Sequence, residues 1–202
     1  MNTTTAARTS VFCAVWSKDG DRHQLLRSHA ASLAQQTVPV VPIYVFDDGD
    51  EPPPWLGGTI VTSPFPLTIY QAWNLGVHVA ETDYVMNLNL DDRIGADAVS
   101  LLEDSLQANG ADLAAADWQV CYTQADTDAA VDSFAAGALP FDASWPPPPG
   151  SRTRLGSGTG NRGTLGPGTM WRRQLHQQVP YPWQFGSGDP IKIVGDLAWW
   201  TV

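Results

Sequence analysis

The chain has 202 residues, 43% of them apolar, and a formal net charge of −10. That length can bury a sizeable core, but Lys18 and Lys192 are the only lysines, which argues against general binding to nucleic acid or anionic membranes, since both need a positive face. No apolar run approaches the roughly 20 residues of a membrane-spanning helix, and the opening MNTTTAARTS lacks the apolar segment of a secretory signal, so the expectation is a cytoplasmic protein without a membrane span.

In chain order, residues 10–16 (SVFCAVW) form a short β-rich run that stops at the polar turn SKDGD. Residues 22–36 place Leu25, Leu26, His29, Ala30 and Leu33 at helical spacing. A second strand, residues 40–46, ends abruptly in Asp47, Asp48, Gly49 and Asp50, and a third is expected over 58–62. Residues 67–80 set Ile69, Tyr70, Trp73 and Val77 on one side of a second helix. The fourth strand is expected over 84–90, a third helix over 97–108, and a strand or bent strand pair over 113–122. This alternation predicts an α/β fold with a mostly parallel sheet.

Beyond residue 126 the texture changes. Eleven of the eighteen glycines and nine of the sixteen prolines fall between 137 and 195, so this part is expected to be loop-rich. Two ordered islands interrupt it: TMWRRQLHQQ, read as a helix from Trp171, and VGDLAWWTV. The residues beyond the proline run 146–149 are too few for a core of their own. Residues 1–202 are therefore expected to be one domain, with a ligand-binding part to about 125 and a loop-rich part after it. Cys13 and Cys121 lie far apart in apolar surroundings and are expected to be buried free thiols.

Eighteen aspartates against three glutamates concentrate negative charge at turns and strand ends. SKDGD, DDGD and LDDR each follow a strand and would gather Lys18, Asp19, Asp47, Asp48, Asp91, Asp92 and Arg93 along one sheet edge, where open parallel sheets bind ligands. There is no phosphate-binding lysine loop, dinucleotide fingerprint, HExxH, paired CxxC or nucleophile elbow. What remains is a set of carboxylate oxygens suited to Mg2+ or Mn2+ together with substrate phosphates.

The order of these parts resembles the nucleotide-sugar-dependent glycosyltransferases of family 2. The resemblance rests on the strand leading to FDDGD, on QAWNLGVHVAETDYVMNLNLDDR with Asn74, Gly76 and Ala80, on GPGTMWRRQLH and on GDLAWW. It implies a Rossmann-like A-type fold, a mostly parallel central sheet flanked by helices, and transfer with inversion. The implied donor is a nucleoside-diphosphate sugar, a UDP-sugar first, and the acceptor a saccharide or another hydroxyl compound. Val15, Trp16 and Ser17 would line the base pocket, and Asp47 or Asp48 would meet the base or ribose. Asp92 would ligate Mn2+ or Mg2+, with Asp91 nearer the ribose or a metal-bound water and Arg93 beside the diphosphate. Asp196 would be the general base. Two departures stand out: Asn89 occupies the first acidic position of the metal motif, and Gly195 replaces an acidic neighbour of the base.

Further candidates are Asp189 as an alternative base and His176 as a third metal ligand or a partly buried core residue. Arg172 and Arg173 could hold phosphate or pair with surface acids. Trp171, Trp183, Trp199 and Trp200 could stack on sugars or fill the core. The loop 151–163 could close over a donor or be disordered. The readings to separate are a transferase, a non-catalytic nucleotide- or sugar-binding module, and a structural protein with acidic caps. A nucleotidyltransferase would need a basic glycine-rich phosphate loop, which SKDGDR does not match.

Overall fold

The computed structural model describes residues 6–15, 21–116, 118–119, 121, 123, 152–153 and 168–191. Six strands form the main sheet: β1 (Thr9–Ala14), β2 (Val40–Phe46), β3 (Thr59–Thr62), β4 (Tyr84–Asn87), β5 (Leu113–Ala114) and, later in the chain, β8 (Met170–Arg172). Their order is β3-β2-β1-β4-β8-β5. β3, β2, β1 and β4 run parallel, while β8 is antiparallel to both β4 and β5. A separate antiparallel pair joins β6 (Trp118–Gln119) to β7 (Arg152–Thr153). The expected α/β class and mostly parallel sheet are therefore present.

Helices α1 (Arg22–Ala34), α2 (Ile69–Val79), α3 (Ala98–Asn109) and α4 (Arg173–Gln178) complete the described elements. Side-chain alternation along β1 divides the core. Phe12 and Ala14 pack with Tyr70, Trp73 and Val77 of α2, while Val11 joins the side chains of α3 and Cys13 and Val15 join Leu26 of α1. The start of α2 is fixed by a capping box: Gln71 N–H donates to Thr68 Oγ1 (3.2 Å), and Thr68 N–H donates to Gln71 Oε1 (2.8 Å). Gly76 lets α2 lie close on β1, because a Cβ there would stand 2.8 Å from Phe12 Cβ. No helix among the described residues is long and apolar enough to cross a membrane.

Two boundaries differ from the expectations drawn from sequence. β4 ends at Asn87, and residues 88–90 lie outside any strand, although Leu88 and Leu90 are buried; burial of alternate loop residues extended the apolar pattern. Trp171 lies in β8 rather than opening a helix. It is fully buried, edge-on to Phe12 at 5.8 Å, and so is a core residue rather than a stacking platform.

Candidate functional site

Because β1 leads outward through β2 to β3 while β4 pairs on the other side of β1, the strand order reverses between β1 and β4. Ligands of open α/β sheets bind beyond the strand ends at such a switch point. Val15 follows β1 there, buried and bonded through its N–H to Val45 O at 2.9 Å. The loop 88–95, which carries Asp91, Asp92 and Arg93, follows β4 beside it.

Helix α1 is the anchor of that loop. Along one side it offers Leu25 O, Ser28, His29 and Ser32, with Gln36 just beyond its end, at spacings that return to the same helix face. His29 Nε2 lies 3.2 Å from Leu88 O, and a carbonyl only accepts, so this nitrogen carries the proton; Nδ1 then accepts from Tyr44 Oη at 3.2 Å. Burial lowers the His29 pKa to about 4, with Arg93 adding to the effect, so the ring is neutral at pH 7. Ser32 Oγ donates to Ile94 O (3.3 Å) and accepts from Ile94 N–H (3.2 Å), and Gln36 Nε2 donates to Gly95 O (2.9 Å).

Arg93 belongs to this seam. Nε donates to Ser28 Oγ (2.8 Å), Nη1 to Leu90 O (2.9 Å) and Asp92 O (2.6 Å), and Nη2 to Leu25 O (3.3 Å). The expectation of a diphosphate contact is therefore replaced by another role: its guanidinium staples the loop to α1 and to itself. Its charge also lies close enough to lower the Asp92 pKa somewhat.

The two adjacent aspartates are unequal. Asp91 is exposed, whereas Asp92 is partly buried and its Oδ2 has neither solvent contact nor a hydrogen-bond partner among the described residues. Burial first, and the charge of Asp91 second, push the Asp92 pKa up to about 7. Hydrogen bonds from the side chain and backbone of Asn89 pull in the other direction, and Asp92 N–H closes a turn onto Asn89 O at 3.0 Å. Asn89 thus orients Asp92 without adding a third negative charge. A cation at the tip would satisfy the orphaned oxygen and offset the repulsion between the two carboxylates, so the residues present fit Mg2+ or Mn2+. Among the described residues no three His, Cys, Asp or Glu side chains converge.

At the end of β2 the sequence left Asp47 and Asp48 equivalent, and the structure separates them. Asp47 Oδ2 accepts from Leu67 N–H (2.7 Å), tying the loop to the start of α2. Asp48 is exposed with φ 54°, and Gly49 follows with φ 73°, a left-handed pair that glycine tolerates and aspartate adopts locally. Asp50 forms an ion pair with Arg22 at the start of α1. Asp48 is thus the aspartate left facing outward.

Other candidates lie elsewhere. His176 packs on the α2 face against Trp171 and Tyr181, with Nε2 donating to Asn74 Oδ1 at 2.9 Å. It lies across the sheet from the seam that holds Asp92, which corrects its reading as a third metal ligand. Burial lowers its pKa to about 4. Arg172 pairs with Asp112 (3.3 Å), and Arg173 Nε donates to Thr82 O (2.9 Å). Both stand at the start of β4, the sheet end opposite the aspartates, so neither reaches a phosphate at the switch point. Asp189 accepts from Ser187 Oγ at 2.8 Å in an exposed turn. Cys13 is buried, and burial followed by Asp92 and Asp91 raises its thiol pKa beyond the reactive range; Cys121 is only partly buried. Trp16, Ser17, Lys18, Asp19, Asp196, Trp199, Trp200 and nearly all of the loop 151–163 lie outside the described residues.

Two oxygens carried no expectation from sequence. Asn87 Oδ1 and Thr169 Oγ1 are buried without a partner among the described residues, where β4 ends and β8 begins. A polar residue closing a β-rich run, as Asn87 closes YVMN, was the available signal.

The fold, a mostly parallel six-stranded sheet flanked by helices, matches that of glycosyltransferases of known structure. The S. aureus TarS fragment 1–349 in complex with UDP superposes with a TM-score of 0.61 at 13% identity, covering 95% of this chain and 53% of that one. The same fragment in complex with UDP-GlcNAc gives 0.56 at 14%, covering 87% and 48%. The mannosyltransferase PcManGT from Pyrobaculum calidifontis, in complex with GDP-Man and Mn2+, gives 0.53 at 14%, covering 92% and 50%. This chain thus spans about half the length of these structures. No family profile matches it, and no curated protein sequence matches it significantly.

Proposed function

We propose that this chain is an inverting, metal-dependent glycosyltransferase of the family 2 kind, acting in the cytoplasm as a single domain. Its donor is a nucleoside-diphosphate sugar, a UDP-sugar first, and its acceptor a hydroxyl of a saccharide or other compound. One observation carries the reading: at the switch point, beside the charge of Asp91, Asp92 keeps a buried oxygen without a partner among the described residues. Support comes from neighbours of the same fold whose structures hold UDP, UDP-GlcNAc, or GDP-Man with Mn2+.

A bound Mn2+ or Mg2+ would supply neutralisation of the charge developing on the departing diphosphate. Asp92 would hold the ion directly, with Asp91 beside it nearer the ribose. Val15, Trp16 and Ser17 border the base, with Asp48 facing it and Asp47 holding the loop. Arg93 acts on the site by fixing the loop. Asp196 takes the proton from the acceptor hydroxyl, a role worth about 10²- to 10⁴-fold in rate.

Calorimetry with UDP and GDP, with and without Mn2+, followed by donor-turnover assays, tests this. Nucleotide binding that requires Mn2+ is expected, and Asp196→Asn should keep that binding while transfer falls by the factor above. Equal nucleotide affinity without the ion would remove the metal role from Asp91 and Asp92. The second reading is a binding module that holds the nucleotide without transfer. Mn2+-dependent binding with no turnover of any donor would select it.

A further inference from the structure

The α2 face carries a feature the transfer chemistry does not use. Between α2 and the segment from α4 to Trp183 runs an open groove of about 640 Å3. Leu67, Pro180 and Trp183 give it apolar surface, and Gln71, His78 and Gln177 give it hydrogen-bonding groups; among the described residues no Asp, Glu, Lys or Arg lines it. In a chain of net charge −10, such a lining selects against ionic ligands and suits one that is uncharged, rich in hydroxyls and apolar on its flat faces. Sugars have that chemistry, and a side-chain amide both donates to and accepts from hydroxyl groups.

Three further observations narrow the occupant. Trp183, which lines the groove, is 43% exposed, so a flat aromatic surface is open to a ligand there. Its floor is fixed in advance: Asn74 Oδ1 accepts from His176 Nε2 and from Tyr181 N–H, and Asn74 Nδ2 donates to Tyr181 O, each at 2.9 Å. A ligand therefore meets a surface that needs little ordering. The groove also reaches the strand-end edge of the sheet, because Leu67, one of its lining residues, is held by Asp47 after β2. From there it follows α2 away from the strand ends, and Gln71 and His78 are spaced about 10 Å along the helix at its usual rise. An extended chain of sugar units fits that course better than a single compact molecule.

We propose that this groove binds an uncharged oligosaccharide, and that it holds the outlying units of a glycan acceptor whose reacting hydroxyl lies at the Asp91–Asp92 edge. The second half rests on the transferase reading; the first does not.

The test titrates the full chain with a panel of neutral oligosaccharides (gluco-, manno-, xylo- and chito-series) and with an anionic polyol phosphate, following the Trp183 indole N–H resonance assigned by its loss in Trp183→Phe. At least one neutral oligosaccharide should shift that resonance, binding tighter as units are added. Trp183→Ala and the exposed-site variant Gln177→Ala should each weaken binding, the first roughly tenfold, about 1.4 kcal/mol, with Mn2+-dependent UDP or GDP affinity and melting temperature unchanged. If no member of the panel moves the resonance, if both variants bind as the parent does, or if only the anionic polymer binds, the groove is not this site. Glycan binding without nucleotide binding would leave the groove and remove the transferase reading; nucleotide binding without glycan binding would do the reverse.

Discussion

Helices α1 and α2 cover opposite faces of one sheet by different means. α2 turns Tyr70, Trp73 and Val77 onto Phe12, Ala14 and Trp171, and its polar anchor, Asn74, ties down the segment around Tyr181. α1 contributes Leu26 and Leu33 to the core but also the line of Ser28, His29, Ser32 and, just past its end, Gln36 that grips the loop after β4. Apolar burial is non-directional and can hold a helix in place. It cannot fix the position of a loop whose tip carries two like charges, whereas hydrogen bonds of defined length and angle can. Hydrogen-bond geometry therefore positions the loop on the α1 face, while apolar packing holds most of the α2 face to the sheet.

The sharpest way to break this comparison is at Asp92. Asp92→Asn keeps the shape and removes the charge, so metal-dependent donor turnover should fall by about 10³-fold or more, the several kcal/mol expected of a lost cation. The metal-free fold should gain rather than lose stability, because an ionisable group in a buried position is replaced by a neutral one. Turnover assays at saturating Mn2+ and thermal melts check both; activity within tenfold of the parent would move the ion elsewhere.

The α2 face should respond in the opposite sense. Gly76→Ala drives a methyl to 2.8 Å from Phe12 Cβ, a contact that forces α2 and β1 apart and costs about 1–3 kcal/mol. At roughly 2–4 °C per kcal/mol for a chain of this size, the melting temperature should fall by several degrees while the Mn2+ and nucleotide affinities of the folded protein stay as they were. Calorimetry well below the transition separates the two effects.

Much of this division could be read from the sequence. Periodicity of 3.6 residues placed α1, α2 and α3, and β-rich apolar runs closed by polar turns placed the four parallel strands. β8 was misread because three residues, Met170–Arg172, carry no period, and their β conformation comes from pairing with β4. Strand ends pointed to Asp91 and Asp92, since paired carboxylates after an apolar run need a partner. Arg93 and His176 were misassigned for a common reason. Residue type says what a side chain can do, but whether a guanidinium faces a ligand or the carbonyls of α1 depends on a helix about 65 residues earlier. Ser28, Ser32 and Gln36 gave no signal, because polar residues on a helix are ordinarily its solvent side.

Ser32→Ala sharpens the comparison at smaller scale. It removes both bonds to Ile94 and should cost about 1–2 kcal/mol, a loss similar to that of Gly76→Ala. Unlike that variant, it should also weaken Mn2+-dependent nucleotide binding several-fold and raise the donor KM, since the loop that carries Asp92 loses an anchor. Equal Tm losses with unequal affinity losses would establish that the two faces divide the work between chemistry and packing; equal affinities would reduce the seam to packing.

The smallest expected effect is one of pH, and it again sets the seam against its tip. His29 is lowered from 6.5 to about 4 by burial, so between those values the unfolded chain binds a proton that the folded one does not; its contribution to stability is full above 6.5 and is lost as pH falls through about 4. Asp92 is raised from 3.8 to about 7, so its folded form holds the extra proton; its contribution is full below about 4 and is lost as pH rises through about 7. Without metal the two slopes oppose each other between about 4 and 6.5, and the melting temperature should vary little there. Above pH 6.5 only the Asp92 slope remains, so Asp92→Asn should raise the melting temperature more at pH 8 than at pH 5. Mn2+, which needs the ionised carboxylate, should bind roughly tenfold tighter per pH unit below about 7 and level off above it. An Mn2+ affinity that stays flat from pH 6 to 8 would mean that Asp92 is not the group that receives the ion.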